Sequence, residues 1–194
     1  MPMDKNIPNP ANRIGNHENL RVFRLSRLVY DITAHFVELY VPANSRTRDQ
    51  MVQAARSVSQ NIAEGNNDYS TSAKIGINLF NVARGSLKEL QCDYQDFLRQ
   101  HSYGIWTNGH PLADEFIRRR VANAAEFRDF IGDAMNTGQL DKAELVANAT
   151  LLLIKPIRFM LSKLIDTKMD AFLKQGGFSE KMYQLRSQKR QEQG

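Results

Sequence analysis

Hydrophobic and polar positions alternate with a helical period from about residue 18 onward. In the first such stretch, the apolar positions share one face: Leu25, Leu28, Val29, Ile32, Phe36 and Leu39. Charged residues such as Arg24, Arg27 and Asp31 fall on the opposite face. Because residues three and four apart lie on the same side of an α-helix, the pattern predicts an amphipathic helix over roughly 18–41.

The second helical stretch carries a narrow apolar stripe, formed by Met51, Ala54, Ala55, Val58 and Ile62. Small alanine and serine residues beside the stripe allow a neighbouring helix to approach closely. Gly65 follows, and glycine favours the left-handed conformation that ends many helices, because it lacks a Cβ. We therefore predict a closely packed second helix that begins near Thr47 or Arg48 and ends at Gly65.

Three further helical segments are predicted over roughly 71–100, 112–134 and 142–174. Ser70 or Thr71 is the expected N-cap of the first. Its apolar seam consists of Leu79, Ala83, Leu87, Leu90, Tyr94, Phe97 and Leu98. The last segment is apolar on two sides, which predicts burial on two sides, and Pro156 within it predicts a kink.

No strand-like alternation is seen, so the predicted class is all-α, with helices packed as an antiparallel four-helix bundle. The sequence predicts a flexible leader over residues 1–17 and the helical bundle over 18–174, with 111–135 as a candidate insertion in the bundle. Residues 175–194 are predicted to hold a short C-terminal docking helix, with Phe178, Met182 and Leu185 as its apolar contacts, followed by a polar tail.

The charge balance permits an anionic partner but does not establish one, because the chain has 26 Lys and Arg against 21 Asp and Glu, a net charge of +5. The candidate nucleic-acid-binding residues are Arg21, Arg24, Arg27, Arg46, Arg48, Arg186, Lys189 and Arg190. A solvated surface without a ligand is the alternative for each of these clusters. The run Arg118 to Arg120 cannot face one ligand, since successive helical residues point about 100° apart.

Catalytic chemistry has no positive signal in the sequence. Glu89, Asp93 and Asp96 share a face away from the apolar seam, which favours a solvated acidic surface over a metal site, and no Glu-x-x-His motif is present. We therefore predict a protein that is not an enzyme and holds no cofactor and no metal. The lone cysteine and the absence of an apolar leader or a run of about 20 apolar residues predict a cytoplasmic protein without membrane contact.

Two stretches carry a family resemblance. "QMVQAARSVSQNIAEG", "STSAK" and "NVARGSLKELQCDYQDFLRQ" resemble a bacterial four-helix-bundle family. That family includes proteins encoded in intervening sequences of large-subunit ribosomal RNA genes and the accessory variability determinant of diversity-generating retroelements. The later stretch "ANATLLLIKPIRFMLSKLIDTKMDAFLKQGGFSEKMYQLRSQ" resembles the suffix-domain subgroup of that family.

The resemblance implies an antiparallel bundle that assembles into a homopentameric ring with a basic surface. In the retroelement member such a ring partners a reverse transcriptase and nucleic acid, so both are partners that the resemblance implies for this chain. The segment 111–135 and Pro156 depart from the short, uninterrupted bundle of the family.

Six residues of the family motif are candidates for a subunit interface, and they are Gln50, Arg56, Gln60, Asn61, Glu64 and Gly65. They could form a buried polar network between subunits, or only hydrogen-bonded pairs along one helix face, such as Arg56 with Gln60. The leading functional hypothesis is a self-associating bundle that binds RNA through basic residues. The alternatives are a protein-interaction scaffold without nucleic-acid binding and, third, a carboxylate metal enzyme.

Overall fold

The computed structural model describes residues 17–69, 71–136, 138 and 140–175, together with residues 183, 187 and 190. Within these residues the chain forms six α-helices and no strand, which confirms the all-α class. The helices are α1 (Arg21–Tyr40), α2 (Arg46–Asp68), α3 (Ala73–Gln100), α4 (Pro111–Arg119), α5 (Ala124–Met135) and α6 (Lys142–Gln175). Residues 1–16 of the predicted leader and Phe178, Met182 and Leu185 of the predicted docking helix lie outside the described residues, while His17–Asn19 forms a 3₁₀ turn.

The four long helices are neighbours in a closed order: α1 packs on α2, α2 on α3, α3 on α6, and α6 on α1. Two hydrogen bonds show which ends of α6 lie near the ends of α2 and α3. Tyr103, just beyond α3, donates to the carboxylate of Asp141 immediately before α6, at 2.7 Å. Tyr69, just beyond α2, donates to the carbonyl of Lys168 near the other end of α6, at 2.7 Å. Helices α4 and α5 lie between α3 and α6 in the sequence and pack on α6.

A single hydrophobic core joins all six helices. Tyr94 of α3 is fully buried in it, and its hydroxyl lies 3.0 Å from that of Thr33 on α1. Thr33 in turn donates to the carbonyl of Val29 at 2.7 Å, so its oxygen accepts from Tyr94. Burial raises the pKa of Tyr94 far above its usual value, which keeps the phenol protonated as this hydrogen bond requires.

The predicted two-sided burial of the last helix is confirmed. The residues from Ala143 to Ile154 are buried on nearly every side, and the second half of α6 then exposes Lys155, Arg158 and Phe159. The helix continues through Pro156, and the predicted kink there stays a prediction. By length and composition alone Lys142–Lys174 could cross a membrane, but 61% of its most apolar window is buried inside the protein, as in a core helix.

The predicted end of α2 at Gly65 is wrong, because α2 continues to Asp68 and Gly65 is buried within it. A Cβ at Gly65 would lie 2.9 Å from ring atoms of Phe80 and 3.0 Å from the carbonyl oxygen of Gly76 on α3. A Cβ at Gly76 would lie 2.7 Å from the carbonyl oxygen of Gly65. Gly65 is therefore needed for the close approach of α2 and α3, which is the tight packing that the narrow stripe predicted.

Other boundaries also differ from the predicted ones. The N-cap of α3 is Ser72, whose hydroxyl accepts from the backbone N–H of Ile75, and not Thr71; Ser70 lies outside the described residues. The predicted 112–134 helix is two helices, because Arg120 adopts a left-handed conformation with φ of 55° and ends α4. Leu39, predicted on the apolar face of α1, is 55% exposed because it lies at the edge of a groove between α1 and α5.

Candidate nucleic-acid interface

Three arginines form an exposed basic surface on the first two turns of α1: Arg21, Arg24 and Arg27. Their spacing of three residues places them within about 120° of the helix circumference, so all three face the same side. The buried residues Val22 and Val29 hold the opposite face of α1 in the core and so fix this orientation. None of the three forms an ion pair with a described residue.

The arginines of α4 differ from those of α1 because they form ion pairs with acidic residues. Arg118 and Arg119 both form ion pairs with Glu115, and Arg119 also contacts the carboxylate of Asp133 at 2.7 Å. Their charge is already compensated within the fold. The α1 arginines are therefore better placed than the Arg118–Arg120 run to attract a polyanion.

The structure does not bring the predicted basic residues together into one site. Arg46 begins α2, and the 20 residues of α1 separate it from Arg21 by on the order of 30 Å. Arg48 is half-buried in a shallow groove between α1 and α2 that also contains the carboxylates of Asp31 and Glu38. Arg46 and Arg48 are thus separate from the α1 surface, and Arg48 lies in an electrostatically mixed environment. Arg186 and Lys189 lie outside the described residues, and Arg190 is exposed.

A second group of basic residues was missed by sequence reasoning. Arg158 of α6 donates to the side-chain oxygen of Gln91 on α3 at 3.3 Å. Arg84 and Lys88 precede Gln91 on the same face of α3, and Lys155 precedes Arg158 by one turn. All four basic residues are exposed, and none forms an ion pair with a described residue. Only the packing of α3 on α6 reveals this group, because its members lie some seventy residues apart in the chain.

Some residues of the family motif pack between α2 and α3, and the others are exposed on the surface of α2. Asn61 is half-buried and donates to the carbonyl and hydroxyl oxygens of Ser57 at 2.9 and 3.0 Å, and Ser57 lies 2.9 Å from the hydroxyl of Ser86 on α3. Asn61, like Gly65, thus supports the contact between α2 and α3. The remaining motif residues are exposed on α2, and they are Gln50, Arg56, Gln60 and Glu64.

The helix-face pairing of the motif is not formed. No hydrogen bond or ion pair joins Arg56, Gln60 and Glu64 in the part of the chain that the structure describes. Their side chains are therefore free to contact a partner. A role at a subunit interface stays a prediction for these residues.

The acidic residues of α3 lie at the surface. Glu89 and Asp96 are exposed and Asp93 is half-buried; burial, and then the neighbouring charges of Asp96 and Glu89, raise the pKa of Asp93 above its usual value. Among the described residues no group of three His, Cys, Asp or Glu side chains is arranged to hold a metal ion. That the protein is not an enzyme and uses no cofactor remains a prediction.

Comparison with known proteins finds a similarity in the first half of the helical region. Residues 19–104 match the model of a family described as 23S rRNA-intervening sequence protein. No curated protein and no solved structure matches the chain. The matched segment contains α1, α2 and α3, whereas α4, α5 and α6 follow it. Its first three helices are therefore similar to the 23S rRNA-intervening sequence protein family, which is the family that the motifs of the chain resemble.

Proposed function

We propose that the protein is a non-enzymatic, self-associating, cytoplasmic four-helix bundle that binds RNA through its basic surface. In this proposal α1, α2, α3 and α6 are the four antiparallel helices, and α4 and α5 are an insertion between the third and the fourth. The observation that supports it best is the exposed, uncompensated surface of Arg21, Arg24 and Arg27. The family name adds a connection to ribosomal RNA genes, not a binding activity.

The proposed mechanism is electrostatic. Each arginine presents a planar guanidinium that can donate two parallel hydrogen bonds to a phosphate, while the bundle behind it keeps the three side chains on one face. Contacts to phosphates carry no sequence information, so affinity should depend strongly on salt and weakly on base sequence. The basic group of Arg84, Lys88, Lys155 and Arg158 offers a second surface for the same polyanion.

Self-association is supported by three exposed apolar side chains on the outer side of α6. Phe159, Met169 and Leu173 are exposed and fall within about 80° of the helix circumference, with the polar residues Ser162 and Asp166 between them. Burying these apolar side chains between copies would also repeat the α1 arginines around an assembly, which strengthens binding by multivalency. A pentamer and a reverse-transcriptase-like partner are proposals that rest on the family resemblance alone.

The test of RNA binding is fluorescence anisotropy of a labelled RNA hairpin titrated with protein across a salt series. We expect Arg24→Glu to weaken binding and to reduce the slope of log affinity against log salt by roughly one unit. Arg118→Glu is the matched control, because Arg118 is exposed but already paired with Glu115. Both variants should keep the far-ultraviolet circular dichroism of the wild type.

Three results would contradict this proposal or part of it. Absence of binding at low salt would remove the RNA-binding function. Equal losses of RNA affinity for Arg24→Glu and the control would show that the α1 arginines are not the RNA-binding surface. A loss of affinity confined to Lys88→Glu would place that surface on α3 and α6 instead.

The alternative function is a helical protein-interaction scaffold that binds no nucleic acid, and the exposed apolar side chains of α6 are the observation that favours it. Analytical ultracentrifugation of the wild type and of Phe159→Asp separates the cases. A wild-type oligomer that Phe159→Asp dissociates would support self-association through α6. A monomer at all protein concentrations, together with no RNA binding, would leave the scaffold function as the better account.

A further inference from the structure

A groove of about 510 Å³ separates α1 from α5 and ends at the start of α6. It exists because α5 packs on α6 and stands away from α1. Its walls include the buried side chains of Phe36, Phe127 and Ile131. Gly132 also lines it, and a Cβ placed there would meet no atom within 4 Å, so the space beside this glycine is open.

The charged groups around the groove come from all three helices. Arg128 of α5 and Lys142 of α6 supply two cations, while α1 supplies the carboxylate of Asp31 and the imidazole of His35. Neither cation forms an ion pair with a described residue. Burial and then the nearby carboxylate of Asp141 raise the pKa of Tyr40, which lines the groove, but that carboxylate already accepts a hydrogen bond from Tyr103. The groove thus combines apolar walls with two cations at its edge that form no ion pair with a described residue.

The size of the groove favours a small molecule over a helix from a partner. A single turn of α-helix, about 10–12 Å wide and 5.4 Å long, occupies roughly 500 Å³, so the groove holds about one turn. Helices that bind in grooves use anchors over two turns or more. A volume of this size does lie within the usual range of about 300–1,000 Å³ for small-molecule sites.

We propose that this groove binds a small amphiphile with an apolar body and one anionic head group, such as a medium-chain carboxylate. The apolar body lies against Phe36, Phe127 and Ile131, and the head group is held by Arg128 and Lys142. The site is independent of RNA binding, since it shares no residue with the α1 arginines. It is also built partly from α5, which lies outside the segment that matches the family.

The test starts with a fluorescence titration using 8-anilinonaphthalene-1-sulfonate, a probe that joins aromatic rings to an anion. Displacement is then compared for decanoate, 1-decanol and decylamine, all below their micellar concentrations. We expect saturable binding of one probe per chain. Decanoate should displace the probe on the order of tenfold better than decylamine. Only the carboxylate of decanoate can pair with the two cations, whereas the ammonium group of decylamine is repelled by them.

Gly132→Leu tests the location of the site, because the new side chain fills the groove without meeting packed atoms. It should abolish probe binding while the circular dichroism stays unchanged, since leucine is the better helix former. Arg128→Gln and Lys142→Gln should each weaken decanoate binding by a factor on the order of five, with no effect on decanol. Arg118→Gln, a change of the same chemistry outside the groove, should bind as the wild type does.

Several outcomes would overturn the inference. No saturable binding, or binding that survives Gly132→Leu, would show that the groove is not the site. Equal displacement by decanoate and decylamine would contradict the proposed preference for an anionic head group. A shift in oligomeric state with Gly132→Leu, measured by analytical ultracentrifugation, would show that a second copy of the chain fills the groove instead.

Discussion

The contact between Gly65 of α2 and Gly76 of α3 predicts that alanine at either position lowers the free energy of unfolding, although alanine in place of glycine usually raises it. An alanine in place of a glycine in a helix normally stabilises a protein by about 0.5–1 kcal/mol, because glycine loses more backbone entropy on folding. At Gly65 the added methyl carbon lies 2.9 Å from the Phe80 ring and 3.0 Å from the Gly76 carbonyl. Overpacking of this kind costs about 1–3 kcal/mol, so Gly65→Ala should lower the free energy of unfolding by about 1 kcal/mol.

Gly76→Ala should be more damaging. Its nearest neighbours are the carbonyl oxygen of Gly65 at 2.7 Å and Cα of Tyr69 at 2.8 Å. Both are backbone atoms, so no side chain can rotate away and the two helices must separate. We expect a loss of about 2–3 kcal/mol, at the upper end of the overpacking range.

Gly85→Ala is the matched control on α3, because a Cβ there meets nothing within 4 Å. It should raise the free energy of unfolding by about 0.5–1 kcal/mol. The assay is urea unfolding followed by far-ultraviolet circular dichroism at one fixed protein concentration, since self-association would add to the apparent stability. If Gly65→Ala stabilised the protein as much as Gly85→Ala, the close approach of α2 and α3 would be refuted.

Three other changes test separate contacts. Asn148→Ala removes hydrogen bonds to the amide of Trp106 at 2.9 Å and the carbonyl of Gly104 at 2.8 Å, and should cost about 2–4 kcal/mol in urea unfolding, with faster hydrogen exchange at Trp106. Asp93 has its pKa raised on folding, so its contribution to stability is present below pH 3.8 and is lost as pH rises through the raised value. Asp93→Asn should therefore remove this decline and stabilise the protein at pH 7 by less than about 1 kcal/mol, and an unchanged pH dependence of urea unfolding would contradict it. Ala54→Leu on the narrow stripe should lower the melting temperature, at a cost of about 1–3 kcal/mol.

The helices themselves could be predicted because burial imposes a period that is visible in the sequence. The two-sided apolar pattern of α6 has that origin, since its first turns are enclosed by the other helices. Gly65 shows the limit of such reasoning. A left-handed helix end and a close helix contact both favour a residue without a Cβ, and only the positions of Phe80 and Gly76 in space distinguish the two cases.

The break at Arg120 illustrates a second limit. The apolar period continues from Phe116 to Phe127 across it, and an arginine in a left-handed conformation leaves no mark on the sequence. For the candidate interface, the α1 arginines could be identified because they share one helix. Arg84 and Arg158 could not be linked, because their proximity depends on how α3 packs against α6.

The buried first half of α6 means that the segment that matches the family and the hydrophobic core have different boundaries in this chain. The family segment ends at residue 104, yet α6 covers faces of α1 and α3 that belong to it. A gene fragment limited to that segment would encode an incomplete core, with Thr33 and Tyr94 left open on the side that Thr150 now closes. Residues 19–104 and α6 thus share one hydrophobic core, and the matched segment without α6 would expose part of that core.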